Sequence, residues 1–316
     1  LKIQPATGSF ARNLIYSTKP INIIIVIQTR GETLMKNKLW LLLSMSALQL
    51  SPLLISTAQA DLLDDIKQKK EIVIATEARY APFEMLEDGK IVGLGKDILT
   101  EVMKGLPGVK VVQLDIPFQG ILPGLESKRF DFVATSLTIT RDREAKFAFT
   151  APFSDASVAI LKRKGDSRIN SAKDLQGMIV ASQAGAPQIA VLKEYEASVL
   201  KPTTGHGVKE IKAFIDYNEA YAALAAHRVD AVVQSLPNLA PLVKTRGDTF
   251  EIVRPPFGPA TWYAWAGRKD ADSASLVKFI SDGIVQLNKS GKLAQLQTKW
   301  LGFSMAVPEQ VPTPAN

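Results

Sequence analysis

The chain has 316 residues, of which 46% are hydrophobic and 22% charged; it has no cysteine and a formal net charge of +7. The absence of cysteine excludes a disulfide framework and thiol chemistry, so the hydrophobic core must stabilise the fold. The first 60 residues contain six basic residues and one acidic residue, and the remaining chain has a net charge of about +2. Overall basicity therefore gives little support for nucleic-acid binding.

Residues 35–60 have the three parts of a secretory signal peptide. A basic start at Met35–Lys38 is followed by an apolar stretch, Leu39–Leu54, and by the small-residue cleavage motif Ala58-Gln59-Ala60. Serines and a proline interrupt the apolar stretch, which makes an uncleaved membrane anchor the less favoured alternative. Residues 1–34 precede the predicted start and are expected to be an upstream extension outside the mature protein. We therefore expect export to the periplasm.

From residue 61 onward, strand-like and helix-like segments alternate. The first part predicts a strand at 71–76, a helix at 97–105 with Asp97 as its N-cap, a strand at 109–114, a helix at 120–128 and a strand at 131–134. After Pro152 the pattern predicts strands at 157–162, 178–182, 210–214 and 230–233, and helices at 187–196 and 219–227. Such alternation predicts mostly parallel sheets flanked by helices, an α/β fold.

Two similar series of elements predict two lobes. We expect a first lobe from 61–154 and 258–303 and a second lobe from 155–257, with the chain crossing back at the rigid Pro255–Pro259 segment. The region 272–301 predicts two helices separated at Ser290-Gly291. The proline-rich tail, 304–316, is predicted to be disordered.

Four motifs follow one another in the first lobe. They are Tyr80-Ala81-Pro82-Phe83, the segment Phe118–Leu125, the segment Asp131–Arg143, and Phe149–Phe153. In this order they resemble the polar-amino-acid group, family 3, of bacterial extracellular solute-binding proteins, and the resemblance extends over 61–303. It implies a type II periplasmic-binding-protein fold with a two-strand hinge. It also implies an ABC-importer component that closes on an amino acid or amino-acid-like carboxylate.

The most specific part of the resemblance is Thr135–Arg143, and elementary chemistry gives it a role. The predicted strand ends at Ala134, and the hydroxyls of Thr135, Ser136 and Thr138 follow at the edge where α/β sheets bind ligands. Arg143 then offers a planar set of donors that suits a carboxylate. A surface arginine paired with Asp142 or Glu144 is the structural alternative.

The resemblance also assigns aromatic and acidic positions. It implies that Tyr80 and Phe118 enclose the ligand's side chain and that Glu77 contacts a cationic ligand end. Packing in the core for the two aromatic residues, and a solvated charge for Glu77, remain open alternatives.

The second lobe departs from the family pattern at its ligand-binding loop. Two hydroxyl residues usually follow the glycine there, whereas this chain has Gly185-Ala186-Pro187-Gln188. Pro187 lacks an N–H, although proline fits the first turn of a helix. We expect Gln183, Ala186 and Gln188 to supply the ligand contacts of this loop.

A second departure concerns the ligand's amine. Ser235 occupies the position where the family commonly has an aspartate that binds the α-ammonium, and a hydroxyl supplies no negative charge. Either Glu77 or Asp155 replaces that charge, or the ligand lacks a free α-amine at this point. Opine-like conjugates, other N-substituted amino acids and simple organic acids are therefore candidates beside ordinary amino acids.

The sequence has few residues suited to catalysis. His206 and His227 are its only histidines, no nucleophile or metal motif is recognisable, and we predict no catalytic residue, cofactor or metal. One alternative is a periplasmic enzyme on the same fold, resembling cyclohexadienyl or arogenate dehydratases, with Glu77 or Glu84 as its acid. The other is the sensor domain of a receptor. The expected partners are a small carboxylate ligand and an importer permease, with the protein a monomer that binds no nucleic acid.

Overall fold

The structure, a computed structural model, describes residues 61–314. The predicted signal peptide and upstream extension lie outside the described residues. The strands are, in chain order, β1 (Glu71–Thr76), β2 (Arg79–Tyr80), β3 (Glu84–Glu87), β4 (Lys90–Val92), β5 (Lys110–Asp115), β6 (Phe132–Thr138), β7 (Phe147–Phe149), β8 (Ser154–Asp155), β9 (Val158–Arg163), β10 (Ile179–Gln183), β11 (Glu210–Phe214), β12 (Ala231–Ser235), β13 (Phe250–Phe257) and β14 (Trp262–Arg268).

The helices cover the faces of the sheets. They are α1 (Leu62–Lys69), α2 (Leu94–Met103), α3 (Phe118–Glu126), α4 (Arg141–Lys146), α5 (Pro187–Tyr195), α6 (Lys201–Thr204), α7 (Tyr217–Ala225), α8 (Leu236–Thr245), α9 (Ala274–Lys289) and α10 (Lys292–Leu301). A 3₁₀ turn at Ala172–Leu175 and a π-helical turn at Glu196–Leu200 complete the second lobe.

Two sheets form the two lobes. The first has the order β5-β1-β6-β14-β7 with β8 added to β14, and the second has the order β11-β10-β12-β9-β13. Three strands of each sheet are parallel, as the alternating pattern predicts. However, β14 and β9 run antiparallel to their neighbours, so both sheets are mixed rather than mostly parallel. These are the strands that carry the chain between the sheets, which reverses their direction. A third, small antiparallel sheet joins β2, β3 and β4.

Two short segments cross between the sheets. One connects β8 to β9 through Ala156, and the other connects β13 to β14 through Thr261. They are hydrogen-bonded to each other, since Ala156 N donates to Thr261 O at 2.8 Å and Thr261 Oγ1 donates to Ala156 O at 2.9 Å. In the described part of the chain, this narrow pair of segments links the two sheets along the backbone, as expected for a hinge.

Each lobe has its own apolar core, but one cluster continues across both. Ile74, Phe132 and Trp265 are fully buried in the first lobe, and Ile160 and Val233 are buried in the second. The larger cluster also includes Tyr80 and Phe83 from the first lobe with Tyr217 and Leu239 from the second. The lobes therefore pack directly against each other around these aromatic rings.

The segment after α10, for which the sequence predicts disorder, contacts the body of the protein as far as it is described. Met305 N donates to Gln297 Oε1 at 2.9 Å, Glu309 pairs with Lys289 at 3.2 Å, and Val311 packs against the first-lobe core. Apolar residues between the prolines give this segment buried area to hold it. None of the helices within 61–314 has both the length and the apolarity to cross a bilayer.

Candidate functional site

The candidate site lies where the carboxyl ends of strands from the two sheets face each other. In the first sheet, β1 and β6 end next to Glu77 and at Thr138; in the second, β10 and β12 end at Gln183 and Ser235. This is the edge at which α/β sheets bind ligands. Polar side chains from both edges are nonetheless almost completely buried, because the two lobes cover each other.

Arg143 bridges the lobes at this edge. Thr140 caps α4 by accepting Arg143 N at 3.3 Å, which fixes the start of the helix that carries the arginine. The guanidinium donates to Thr138 O at 3.1 Å in its own lobe and to Gly185 O at 3.3 Å in the other. Arg143 forms no ion pair with any residue within 61–314, so the surface pair with Asp142 or Glu144 is not formed. Desolvation lowers the pKa of Arg143 to about 10, which still leaves it charged at neutral pH.

Phe118 packs against the same two groups. The guanidinium carbon of Arg143 lies 5.5 Å from the centre of the Phe118 ring, within the range of a cation–π contact. Gly185, with a φ of +77°, lies so close that an added Cβ would be 3.7 Å from the ring. The neighbouring Gln119 donates to Ala184 O at 3.3 Å and Ile215 O at 3.1 Å. Phe118 and Gln119 thus connect the start of α3 to the second lobe.

Glu77 is a buried carboxyl that faces the second lobe. Its residue is 2% exposed, its backbone N donates to Thr135 Oγ1 at 3.3 Å, and its carboxyl accepts a hydrogen bond from Gln183 Nε2. Burial raises the pKa of Glu77 to about 8. A solvated surface charge, the alternative left open by the sequence, is therefore excluded.

The backbone N–H and the hydroxyl of Ser136 are hydrogen-bonded to a second buried acid, Glu84. Ser136 N and Oγ donate to the Glu84 carboxyl at 3.3 and 3.0 Å, and burial raises the pKa of Glu84 well above its usual range. The Ser136 hydroxyl, predicted to face a ligand, is therefore already bonded to Glu84. Thr138, two residues on, contributes its carbonyl to Arg143.

Tyr80 belongs to a hydrogen-bonded group whose members lie far apart in the sequence. Its hydroxyl lies 3.2 Å from Gln234 Oε1 and 2.5 Å from the hydroxyl of Tyr263. Tyr263 in turn reaches Asn238 Oδ1 at 3.2 Å, and Asn238 Nδ2 donates to Ala81 O at 3.0 Å. Tyr217 packs against Tyr80 with ring centres 5.7 Å apart. The aromatic pair Tyr217 and Tyr221 at helical spacing was a possible signal, but the same spacing is typical of core.

Ser235 precedes α8, and its hydroxyl is engaged on both sides. It donates to Ala156 O at 3.0 Å and accepts from Gln188 Nε2 at 2.8 Å. Ala186 precedes α5 and donates its N–H to Gln183 O at 3.1 Å, while Pro187 occupies the first turn. The structure thus brings Gln183, Gln188 and Ser235 to one buried edge, with Ala186 holding the turn between them. Neither of the hydrogen-bond partners of Ser235 Oγ, Gln188 and Ala156, is a carboxylate.

The site has no metal-binding group. No cluster of three or more histidine or acidic residues that would hold a metal ion occurs between residues 61 and 314. What the arrangement offers is a set of hydrogen-bond donors and acceptors, aromatic faces and one cation, enclosed between two lobes. This is the chemistry of a ligand-binding cleft.

Comparison with known proteins identifies the class. The family model described as bacterial extracellular solute-binding proteins, family 3, matches residues 72–303. The chain belongs to this family.

Relatives of this chain are amino-acid-binding proteins. L-cystine-binding protein TcyJ of Escherichia coli K12 is 27% identical over 249 residues, covering 78% of this chain and 88% of the relative. An L-arginine-binding protein of Pseudomonas aeruginosa is 30% identical over 271 residues, covering 83% and 96%.

Solved structures give the same result for the fold. A mutant of ArgBP from T. maritima is similar with a TM-score of 0.67 and 30% identity, covering 76% of this chain and 99% of that one. The ancestral amino-acid-binding protein AncCDT-1, a precursor of cyclohexadienyl dehydratase, has a TM-score of 0.66 and 28% identity, covering 77% and 100%. The predicted two-lobed α/β class is confirmed. The dehydratase alternative is not favoured, since these relatives are binding proteins.

Proposed function

We propose that this protein is the substrate-binding component of an ABC importer and that it encloses a small amino-acid-like carboxylate between its lobes. The observation that carries the proposal is the position of Arg143. Its charged guanidinium lies between the lobes, over Phe118, and its hydrogen bonds go to backbone carbonyls rather than to an acid. A carboxylate bound here gains a charge-assisted, bidentate contact in a partly desolvated site.

The surrounding residues suit the rest of such a ligand. Tyr80 and Phe118 supply aromatic faces from the first lobe, while Gln183 and Gln188 supply amide groups from the second. Relatives that bind cystine or arginine support a ligand of the amino-acid class. Opine-like conjugates and organic acids share the carboxylate and remain within the proposal.

Binding and transport follow from the two-lobed form. A ligand that contacts Arg143 in one lobe and Gly185–Gln188 in the other favours the closed arrangement, and the pair of crossing strands allows the movement. The permease of the importer would then recognise the closed protein. The extracellular character of the family supports a periplasmic location, and we propose that the protein acts there as a monomer.

The test is calorimetric titration of the purified protein, unfolded and refolded to remove carried-over ligand. The panel contains the standard amino acids, cystine, opines, other N-substituted amino acids and amine-free organic acids. Arg143→Ala should weaken the binding of any carboxylate ligand roughly 10- to 150-fold, as expected for a charged hydrogen bond. Arg129→Ala changes an exposed arginine of the same lobe and should leave the affinity unchanged. Equal affinities in the two variants would contradict the role of Arg143.

A further inference from the structure

Two buried glutamines at the cleft each have one polar atom without a partner. Gln188 is 2% exposed and Gln234 is fully buried, yet Gln188 Oε1 and Gln234 Nε2 form no hydrogen bond with any residue between 61 and 314. An unsatisfied buried polar atom costs about 1–3 kcal/mol, so such atoms need an explanation. The two side chains are adjacent, because Gln188 Nε2 lies 3.3 Å from Gln234 Oε1.

The neighbours of Gln234 determine the orientation of its amide. The backbone N–H of Ser235 lies 2.6 Å from Gln234 Oε1, and a backbone N–H only donates. The atom that faces it must therefore be the oxygen, and the unpartnered atom must be the NH₂ group. Gln234 thus presents a free donor.

The orientation of Gln188 follows in the same way. Ser235 Oγ lies 3.0 Å from the carbonyl oxygen of Ala156, which only accepts, so the single hydroxyl proton is directed there. The atom of Gln188 that lies 2.8 Å from Ser235 Oγ must then be the donating NH₂ group. Gln188 is left with a free acceptor. The edge of the second lobe therefore presents one neutral donor beside one neutral acceptor.

A cavity of about 250 Å³ lies next to Gln234 between the lobes. Its walls are mainly aromatic and aliphatic, with contributions from Tyr80, Tyr217, Tyr221, Pro241 and Leu242. The one charged residue in its lining, Arg79, is paired with Asp115 at 3.1 Å. Such a cavity accommodates an apolar group of a ligand that is hydrogen-bonded to the amide of Gln234.

We propose that the ligand is an amino acid whose nitrogen is acylated, an N-acyl amino acid. Its amide N–H donates to Gln188 Oε1, its amide carbonyl accepts from Gln234 Nε2, and the acyl group enters the cavity lined by Tyr217 and Tyr221. The inference rests on the proposed function, because it takes Arg143 as the partner of the ligand's carboxylate. Gly185, which contacts Arg143, and Gln188 are three residues apart where the chain enters α5, so both contacts fit one small molecule.

A ligand with a free α-ammonium would interact poorly with Gln188 Oε1 and Gln234 Nε2. Ser235 carries no charge, and the buried acids Glu77 and Glu84 are already bonded to Gln183 and Ser136. An ammonium at this position would lose its hydration and gain hydrogen bonds to neutral acceptors only. An amine-free organic acid is also disfavoured, because it has no N–H to satisfy Gln188 Oε1.

The test compares ligands that differ only at the nitrogen. Leucine, N-methylleucine and N-acetylleucine, with the same three forms of phenylalanine, glutamine and arginine, are titrated into the refolded protein. We expect the acetyl form of at least one side chain to bind tenfold or more tightly than its free and N-methyl forms. The opposite order, or equal affinities, overturns this inference.

Substitutions identify the two amides as the cause. Gln188→Met and Gln234→Met keep the side-chain length but remove the free acceptor and donor, and each should weaken acyl-ligand binding about tenfold. Gln295→Met changes an exposed glutamine on α10 and should have no effect. Ser235→Asp introduces a charge at the same edge and should shift the preference toward the free amino acid. Acyl binding unaffected by both Gln188→Met and Gln234→Met would overturn the assignment.

The result separates this inference from the proposed function. Free amino acids that bind through Arg143, with acylated forms that do not, would contradict the acyl ligand and leave the carboxylate-binding function intact. No binding by any carboxylate in either panel, from a protein shown to be folded, would contradict both.

Discussion

Glu77 shows how burial at the cleft affects stability. The pKa of its carboxyl is about 8 in the folded protein, against an ordinary value of 4.5, chiefly because burial disfavours the charged form. Between these two values the folded protein holds a proton that the unfolded chain has released. Stability therefore falls as the pH rises from about 4.5 to about 8, by an amount on the order of a few kcal/mol.

Glu77→Gln should remove this contribution. The variant should gain several degrees relative to the unsubstituted protein as the pH rises from 5, where the folded protein holds Glu77 neutral, to 8.5, where Glu77 is mostly charged. Thermal melts of both proteins from pH 5 to pH 8.5 measure the difference. The charge of Glu77 also raises the pKa of Glu84, so the difference reports Glu77 together with its coupling to Glu84. Melting curves that stay parallel over this range would show that the Glu77 carboxyl does not titrate as its burial requires.

At the residue scale, motif residues were easier to predict than their partners. Arg143 and Tyr80 could be proposed as site residues because each lies in a recognisable local motif. Tyr80 and Gln234, however, are 154 residues apart, and nothing local in the sequence indicates that they meet. The same applies to Glu84 and Ser136, whose contact depends on how the first sheet places β6 beside the hairpin that carries Glu84.

At the scale of elements, the start of α2 positions Tyr80. Leu94 N donates to Pro82 O at 3.1 Å and Gly95 N to Phe83 O at 2.9 Å, so carbonyls of the Tyr80–Phe83 motif satisfy the first N–H groups of this helix. Gly93, with a φ of +125°, precedes the helix, and an added Cβ there would lie 2.2 Å from Phe83 O. Only glycine allows so close an approach.

Gly93→Ala should therefore be strongly destabilising. Backbone strain and the clash together should lower the free energy of unfolding by about 2–4 kcal/mol. Gly89→Ala is the matched control: its φ is +73° but an added Cβ meets nothing within 4 Å, so only about 1 kcal/mol is expected. Urea unfolding measures both. Equal midpoints for the two variants would mean that the contact with Phe83 does not constrain the motif.

The elements also show which parts of the fold are readable from sequence. The β-branched runs and amphipathic helices were predicted because their periodicity is local. The predicted start of α2 was wrong, because the helix begins at Leu94 and Asp97 is not its N-cap. Instead, the Asp97 carboxylate accepts hydrogen bonds from Lys299 and Trp300 on α10, both at 2.7 Å. Strand β13 was missed because it contains Pro255 and Pro256, which a register shift between Val253 and Phe257 accommodates.

At the scale of the whole molecule, polar contacts at the cleft add to the apolar packing between the lobes. Gln183 bonds to Glu77, Tyr80 to Gln234, Arg143 to Gly185 and Gln119 to two carbonyls of the second lobe. Such hydrogen bonds exchange with water at little net cost, about 0.5–1.5 kcal/mol each. The two-segment crossing adds little resistance to rotation. A ligand that bonds to both lobes therefore has enough free energy to shift the balance between open and closed forms.

This prediction is measurable by fluorescence transfer, because a chain without cysteine accepts two labels at chosen positions. Glu126→Cys on α3 and Glu194→Cys on α5 place exposed labels on opposite lobes. The ligand identified by calorimetry, added at a concentration near its Kd, should raise the transfer efficiency, and Arg143→Ala in the same labelled protein should remove most of the rise at that concentration. Glu194→Cys with Lys209→Cys places both labels on the second lobe and should show no change. If the interlobe pair is as unresponsive as the pair within one lobe, the ligand binds without moving the lobes and hinge closure is wrong.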